Sequence, residues 1–89
     1  MSAQLAVERA TGKPVEHLES VPIVETFRGQ VIWQGMVEVF AVSEPPPARA
    51  YGWAVEGDKE PRYVAVLGVP PVNSPLDAVR AWIVSQARK

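Results

Sequence analysis

The stretch VIWQGMVEVFAV, residues 31–42, carries large apolar side chains at alternate and adjacent positions, with one glycine in its middle. Successive side chains of a β-strand point to opposite faces, so a strand of this kind needs cover on both faces. The β-branched and aromatic residues that suit a pleated sheet begin at Val24 and continue to Val42. The fold therefore depends on what covers these two faces.

The run from residue 24 to residue 42 is longer than a typical strand of about 3–10 residues, so it needs an interruption. A tight turn at Arg28-Gly29 would pair a short strand with a long one. A bulge at Gly35 would instead bend one continuous strand, because glycine accepts positive φ. We favour a strand over residues 30–42 that bends near Gly35, with residues 22–27 as a lead-in that pairs at the sheet edge.

Two later segments, residues 50–55 and 62–69, are also rich in strand-forming residues. The polar loop between them, residues 56–61, contains glycine, aspartate and proline, which predicts an antiparallel hairpin with an exposed tip. Three prolines at residues 45–47 end the preceding strand and favour a stiff linker, although they also invite an interpretation as a ligand for a proline-recognising domain.

The C-terminal helix, residues 75–88, is the best supported element. Ser74 can cap the free amides, Pro75 stands at the first helical position, and Asp77 faces the positive end of the helix dipole. Its apolar residues recur at helical spacing: Leu76, Val79, Ile83 and Ala87, with Trp82 beside them.

The N-terminal part of the chain is harder to interpret. Residues 2–11 can form a short helix with a weak apolar stripe, which Gly12 would end. Residues 14–20 favour a loop or a single helical turn. We therefore divide the chain into a weakly structured segment, residues 1–23, and a single α+β domain, residues 24–89.

The predicted fold is α+β, a three-stranded antiparallel sheet with the helices on one face, in the order α-β-β-β-α. This leaves the other face open, and sorting the strands by alternation shows that neither face is polar. We expect the side that bears Tyr51, Trp53 and Tyr63 to remain partly exposed and to contact another molecule, because exposed aromatic patches usually mark contact surfaces. The alternative is that these residues are ordinary core.

Composition excludes several kinds of chemistry. The chain has no cysteine, so it has no disulfide, no thiolate nucleophile and no cysteine-ligated metal site. Nine Lys and Arg against ten Asp and Glu are scattered along the chain, which gives no strong electrostatic preference for a partner. We find no secretion signal and no apolar run of about 20 residues that could span a membrane, and we expect a soluble cytoplasmic protein.

No catalytic or cofactor motif is evident. His17 is the only histidine and lies in a predicted loop without converging partners, so we interpret it as solvated. The acidic residues of loop 56–60 alternate with Lys59 and lack calcium-loop spacing. We expect no enzyme activity, no metal and no cofactor. If an anionic ligand exists, Arg49 is the first basic residue to test.

The predicted order of elements resembles that of double-stranded RNA-binding domains, in topology alone. In that family a lysine-rich cluster opens the final helix and meets phosphates. Here residues 74–78 read SPLDA, with an acid and no lysine, and binding to phosphates needs clustered Lys or Arg. We therefore do not expect a nucleic-acid partner.

The leading hypothesis is a non-enzymatic association module that acts as a homodimer or as an accessory to another protein, without membrane contact. Its candidate binding residues are Tyr51, Trp53, Tyr63, Trp33 and Arg49. The alternative is a small-ligand-binding domain with a pocket between the sheet and the C-terminal helix. The tryptophans Trp33, Trp53 and Trp82 would line this pocket, and Arg49 or Arg80 would supply charge.

Overall fold

The computed structural model describes residues 2–43, 48–55, 62–69 and 72–87. It shows an α+β fold with an antiparallel sheet between an N-terminal and a C-terminal helix, in the order α-β-β-β-β-α. The elements are α1 (Ala3–Thr11), β1 (Val15–Phe27), β2 (Gln30–Val42), β3 (Ala48–Val55), β4 (Arg62–Leu67) and α2 (Pro75–Ala87). The fold class is confirmed, with four strands rather than three, and the strands follow one another across the sheet as β1-β2-β3-β4.

The additional strand is β1, which pairs with β2 through a tight turn at Arg28-Gly29. Arg28 has φ 53° and Gly29 has φ 81°, the left-handed conformation that a two-residue hairpin turn requires. The turn was one of our two alternatives, and the bulge that we favoured at Gly35 is wrong, since the pairing runs without a shift past Ile23 and Gly35. The pairing shifts instead between His17 and Glu19 and between Glu25 and Thr26.

Gly35 has a packing role. A Cβ atom at this position would lie 3.0 Å from Cη2 of Trp33, because the indole ring of Trp33 lies over the glycine. The glycine therefore gives the ring its place on the sheet, where it also contacts Trp53.

The N-terminal residues belong to the same fold. Ser2 caps α1, its Oγ accepting from the Leu5 amide at 3.2 Å, and Gly12 ends the helix with φ 71°. Val7 and Val15 are buried in the core. The boundary that we placed between residues 23 and 24 thus falls inside β1, and residues 14–20, expected to be loop, are mostly strand.

The predicted pairing of β3 with β4 and the predicted start of α2 are both present. The predicted exposed tip at residues 56–61 and the proline linker at residues 45–47 lie outside the described residues. Tyr51 pairs with Val66 in an antiparallel ladder. The Ser74 Oγ accepts from the Asp77 amide at 3.1 Å, and the Asp77 carboxylate accepts from the Asn73 amide at 3.1 Å. This reciprocal cap fixes the first turn of α2.

The two helices cover opposite faces of the sheet, so our expectation that both lie on one face is wrong. Side chains alternate along β3, and its two sets contact different helices. Tyr51 and Trp53 share a cluster with Ala78 and Val79 of α2, whereas Ala50 shares a cluster with Val7 of α1. Both faces of the apolar strand are therefore covered over residues 37–42, where Val37, Val39, Phe40 and Val42 are buried.

Helix α1 lies close to the sheet because β3 offers small side chains to it. A Cβ atom at Gly52 would lie 3.1 Å from Cγ2 of Val7 and 3.4 Å from Cβ of Ala3. None of the helices in the described parts of the chain is long and apolar enough to cross a membrane.

Candidate functional site

Two of the predicted binding residues, Tyr51 and Trp53, lie in the core beneath α2. Tyr51 is 3 % exposed and Trp53 is 1 % exposed, and both pack in one cluster with Val72, Ala78 and Val79. The aromatic face that we expected to remain open is therefore covered, because α1 and α2 lie on opposite faces and leave neither aromatic residue to solvent.

Tyr63 lies on the other face of the sheet. It pairs directly with Ala54, whose side chain alternates with that of Trp53 and so points to the α1 face. Tyr63 is half-buried there and lines a shallow groove with Met36, Glu38 and Ala54. The three aromatic residues thus do not form one surface.

The three tryptophans pack against one another. The rings of Trp33 and Trp53 are 5.8 Å apart and those of Trp53 and Trp82 are 6.0 Å apart, both edge to face. The space between the sheet and α2, where our alternative hypothesis placed a ligand pocket, is thus filled by the tryptophans that were expected to line it. Nε1 of Trp53 is buried and has no hydrogen-bond partner among the described residues, which costs about 1–3 kcal/mol of folding free energy.

The phenol of Tyr51 is held in its neutral form. Desolvation raises the pKa of Tyr51, the carboxylate of Asp77 raises it further, and the charge of Arg49 opposes the shift. The direction of this shift agrees with the burial of the Tyr51 side chain in the core.

The two candidate basic residues lie apart. Arg80, on α2, donates to the Glu25 carboxylate of β1, and this contact lowers the pKa of Glu25. Arg49 is exposed and lines a cavity of about 210 Å³ at the other end of the sheet. The remaining lining residues of that cavity are Ala10, Thr11, Lys13, Val42, Ala48, Leu67, Gly68 and Val69.

His17 has partners that its predicted loop position did not suggest. Its Nε2 lies 2.8 Å from the Glu38 Oε1, which also accepts from the Ser20 hydroxyl, and its ring contacts Phe40 edge-on at 5.4 Å. In a nucleophilic triad the histidine touches the hydroxyl and the acid orients the histidine. Here the acid lies between the other two groups, so the arrangement is a cross-strand polar cluster.

No group of three or more His, Asp or Glu side chains that could hold a metal ion occurs within residues 2–43, 48–55, 62–69 and 72–87.

The outer part of the β1–β2 hairpin carries an apolar surface that sequence reasoning missed. We call residues 22–36 the distal hairpin. Phe27 is 59 % exposed, Val24 53 % and Met36 49 %, and Val31 and Ile32 are also exposed. The distal hairpin therefore shows five large apolar side chains to solvent.

These five side chains are spread over both faces of the distal hairpin. Val24 and Met36 lie on the α1 side, in register with Gln34 and Pro22 on the facing strand. On the α2 side, Phe27 and Ile32 line a groove with Thr26, Ile83, Val84 and the Glu25–Arg80 ion pair. Arg28 lies over the ring of Phe27 at 5.1 Å.

Element lengths explain this exposure. Each strand of the hairpin has 13 residues, about 43 Å of extended chain, whereas the nine residues of α1 make about 14 Å of helix. Helix α1 lies over β3, β4 and the Val15 end of β1. Its N-terminal residues Ser2 and Ala3 share a groove with Met36 but leave Met36 49 % exposed. A signal was present in the sequence, since residues 22–36 contain only two charged side chains, Glu25 and Arg28.

Comparison with known proteins adds no functional information. No protein-family model matches the chain, and no curated protein or solved structure is significantly similar to it.

Proposed function

We propose that this protein is a non-enzymatic association module whose contact surface is the distal hairpin. The observation that carries the proposal is the exposure of five large apolar side chains on a hairpin with two charged residues. The function class is the one that we inferred from the sequence, but the surface differs, because Tyr51 and Trp53 are buried.

The composition of the distal hairpin is that of an interface centre. Such centres are enriched in aromatic residues, methionine and arginine and depleted of other charges. Phe27, Met36 and Arg28 fit this description, and the only acid, Glu25, is already paired with Arg80. Burial of apolar surface is worth about 25 cal/mol per Å², so covering this hairpin would provide a substantial driving force.

The partner is another protein, with an apolar and weakly charged surface of its own. Tyr63 extends the contact surface on the α1 side, where it shares a groove with Met36.

A charge-insertion series tests the proposal. Met36→Lys and Val24→Lys place an ammonium group on the α1 side of the distal hairpin, and Leu5→Lys makes the same change at an exposed apolar residue of α1. We expect the first two variants to lose binding to the other protein while Leu5→Lys keeps it. Quantitative cross-linking in extract reports this binding, and light scattering after size exclusion records self-association separately.

The comparison between variants decides the outcome. A complex with another protein that forms equally with the wild type, Leu5→Lys and both hairpin variants would show that the distal hairpin is not the contact surface. Thermal unfolding of all variants serves as the folding control, and substitutions at these exposed positions should leave the midpoint nearly unchanged.

A second candidate function is the binding of a small amphipathic anion in the cavity beside Arg49. Apolar side chains from Val42, Leu67 and Val69 line it together with the Arg49 guanidinium. Its volume of about 210 Å³ is below the roughly 300 Å³ of typical ligand pockets, so only a short carboxylate would fit. Titration with hexanoate should shift the amide resonances of Arg49 and Leu67, and Arg49→Gln should abolish the shift. No shift at millimolar hexanoate would exclude this function.

A further inference from the structure

The two edges of the sheet differ in how well they are protected against pairing with another strand. Exposed edges attract further strands unless proline, charges or bulges interrupt them. The outer strand β1 has Pro22 in its middle, three glutamates and two shifts in its pairing. The other outer strand, β4, has the sequence RYVAVL, with one charge at its start and no proline or shift.

The pairing of β3 with β4 determines which backbone groups of β4 face outward. The Gly68 amide donates to the Arg49 carbonyl at 2.7 Å, so Gly68 faces inward and its hydrogen-bonding groups belong to β3. Antiparallel pairing alternates, so Val66 and Val64 also point their amide and carbonyl groups to β3. The groups of Tyr63, Ala65 and Leu67 therefore point away from the sheet, and no fifth strand stands beside β4 in the described part of the chain.

These outward groups are self-complementary about a two-fold axis at Ala65. When two β4 strands run antiparallel, Ala65 faces its own copy, and Tyr63 faces Leu67 of the other copy on both sides. Each of these pairs exchanges two hydrogen bonds, so all outward amides and carbonyls of the three residues find partners.

The side chains of β4 suit the same arrangement. On the α1 side the exposed Leu67 meets the ring of Tyr63 from the other copy, and such apolar–aromatic pairs stabilise sheets by about 0.2–1 kcal/mol each. On the α2 side the half-buried Val64 faces Val66 of the other copy. The single charge, Arg62, lies at opposite ends of the paired strands, so like charges stay apart.

We propose that two copies of this chain pair through β4, antiparallel about Ala65, to form one continuous eight-stranded sheet. The interaction surface is the outer edge of β4, and the partner is a second copy. The two distal hairpins then lie at the far ends of the dimer, so this inference is independent of the partner that the distal hairpin binds.

Amide hydrogen exchange on the wild-type protein tests the pairing directly. As concentration rises from micromolar to millimolar, the amides of Tyr63, Ala65 and Leu67 should slow by at least about tenfold, because dimerisation pairs them. The inward amides of Val64 and Val66 are protected at every concentration. A monomer throughout this range, or a dimer whose three outward amides keep their rates, would overturn the proposal.

The variant Ala65→Pro removes an outward amide without removing a β3–β4 hydrogen bond. It deletes the two central hydrogen bonds of the dimer, and the dissociation constant should rise about tenfold or more. Circular dichroism should show an unchanged fold. If this variant unfolds, Leu67→Lys provides the same measurement, with a charge beside Tyr63 of the other copy in place of the proline.

Met36→Lys separates this inference from the proposed function. The dimer should persist in Met36→Lys and weaken in Ala65→Pro, whereas a dimer lost only in Met36→Lys would assign self-association to the distal hairpin and overturn pairing through β4.

Discussion

The two faces of the sheet are covered in different ways. On the α2 face, bulky side chains fill the space, with Trp33, Trp53 and Trp82 in edge-to-face contact. On the α1 face, Gly52 and alanines let a short helix approach closely. On the α2 face the large rings fill the space between helix and sheet. Phe40 is also buried on the α1 face, but the small residues of β3 are covered only where α1 lies directly above them. The α1 face therefore ends where α1 ends, and the distal hairpin is left exposed.

Among substitutions on the two faces, the largest loss of stability should come from the α2 face. Trp53→Ala removes a fully buried indole from the centre of the core, and we expect a loss of about 3–5 kcal/mol in the free energy of unfolding. Urea denaturation measures the loss, with Met36→Ala as the control for an exposed apolar residue. A loss below about 1 kcal/mol would show that Trp53 is not the centre of this core.

A smaller loss of stability should come from a substitution on the α1 face. Gly52→Val places branched carbon atoms against Val7 and Ala3, where a Cβ alone already lies 3.1 Å from Val7. Overpacking of this kind costs about 1–3 kcal/mol. Gly52→Ala is the matched control, since the smaller change can be accommodated by a slight shift of α1. Equal stability of the wild type and Gly52→Val would mean that α1 does not pack tightly on β3.

Removing the N-cap of each helix in turn compares how much the first turns of α1 and α2 contribute to stability. Ser74→Ala removes the acceptor for the Asp77 amide, and we expect a loss of about 1 kcal/mol in the free energy of unfolding. Ser2→Ala makes the same change at α1. If the α1 face depends on its helix as strongly as the α2 face does, both variants should lower the thermal midpoint by similar amounts. Absence of an effect at Ser2 would indicate that the first turn of α1 contributes little.

The smallest effect concerns the ion pair that joins α2 to the distal hairpin. The Arg80 guanidinium lowers the pKa of Glu25 below its ordinary value. The stabilisation is therefore present above the unfolded-state pKa and is lost as pH falls through the folded-state pKa. The stability difference between the wild type and Glu25→Gln should shrink as pH is lowered into the acidic range. A difference that is constant with pH would argue that the pair does not stabilise the fold.

Local signals in the sequence were sufficient for some elements and not for others. The start of α2 was predictable because Ser74, Pro75 and Asp77 act within one turn. The β3–β4 hairpin was predictable from its polar loop. Residues 22–27 pair at the sheet edge as predicted, but the extension of β1 back to Val15 was missed because Glu16 and Glu19 disfavour a strand, and an edge strand tolerates them. Helix α1 buries only Val7 completely, so its apolar stripe is weak in the sequence.

The candidate site was less predictable than the fold. The alternation of side chains along β3 correctly placed Tyr51 and Trp53 on one face and Ala50 and Gly52 on the other. It does not predict which helix covers which face. That choice depends on where α1 and α2 pack, which is a property of the whole chain. The exposure of the distal hairpin follows from the difference in length between strands and helices, and it required the Arg28-Gly29 turn to be identified first.

The protection of β1 has a consequence for assembly size. Pairing through β4 uses the one receptive edge of each copy, so the outermost strands of the resulting sheet are both β1. Pro22 and the irregular pairing of β1 offer no continuous row of hydrogen-bonding groups to a third chain. Growth through the sheet would therefore stop at the two copies of the proposed dimer, and the feature that limits it is the one that makes β1 hard to identify in the sequence.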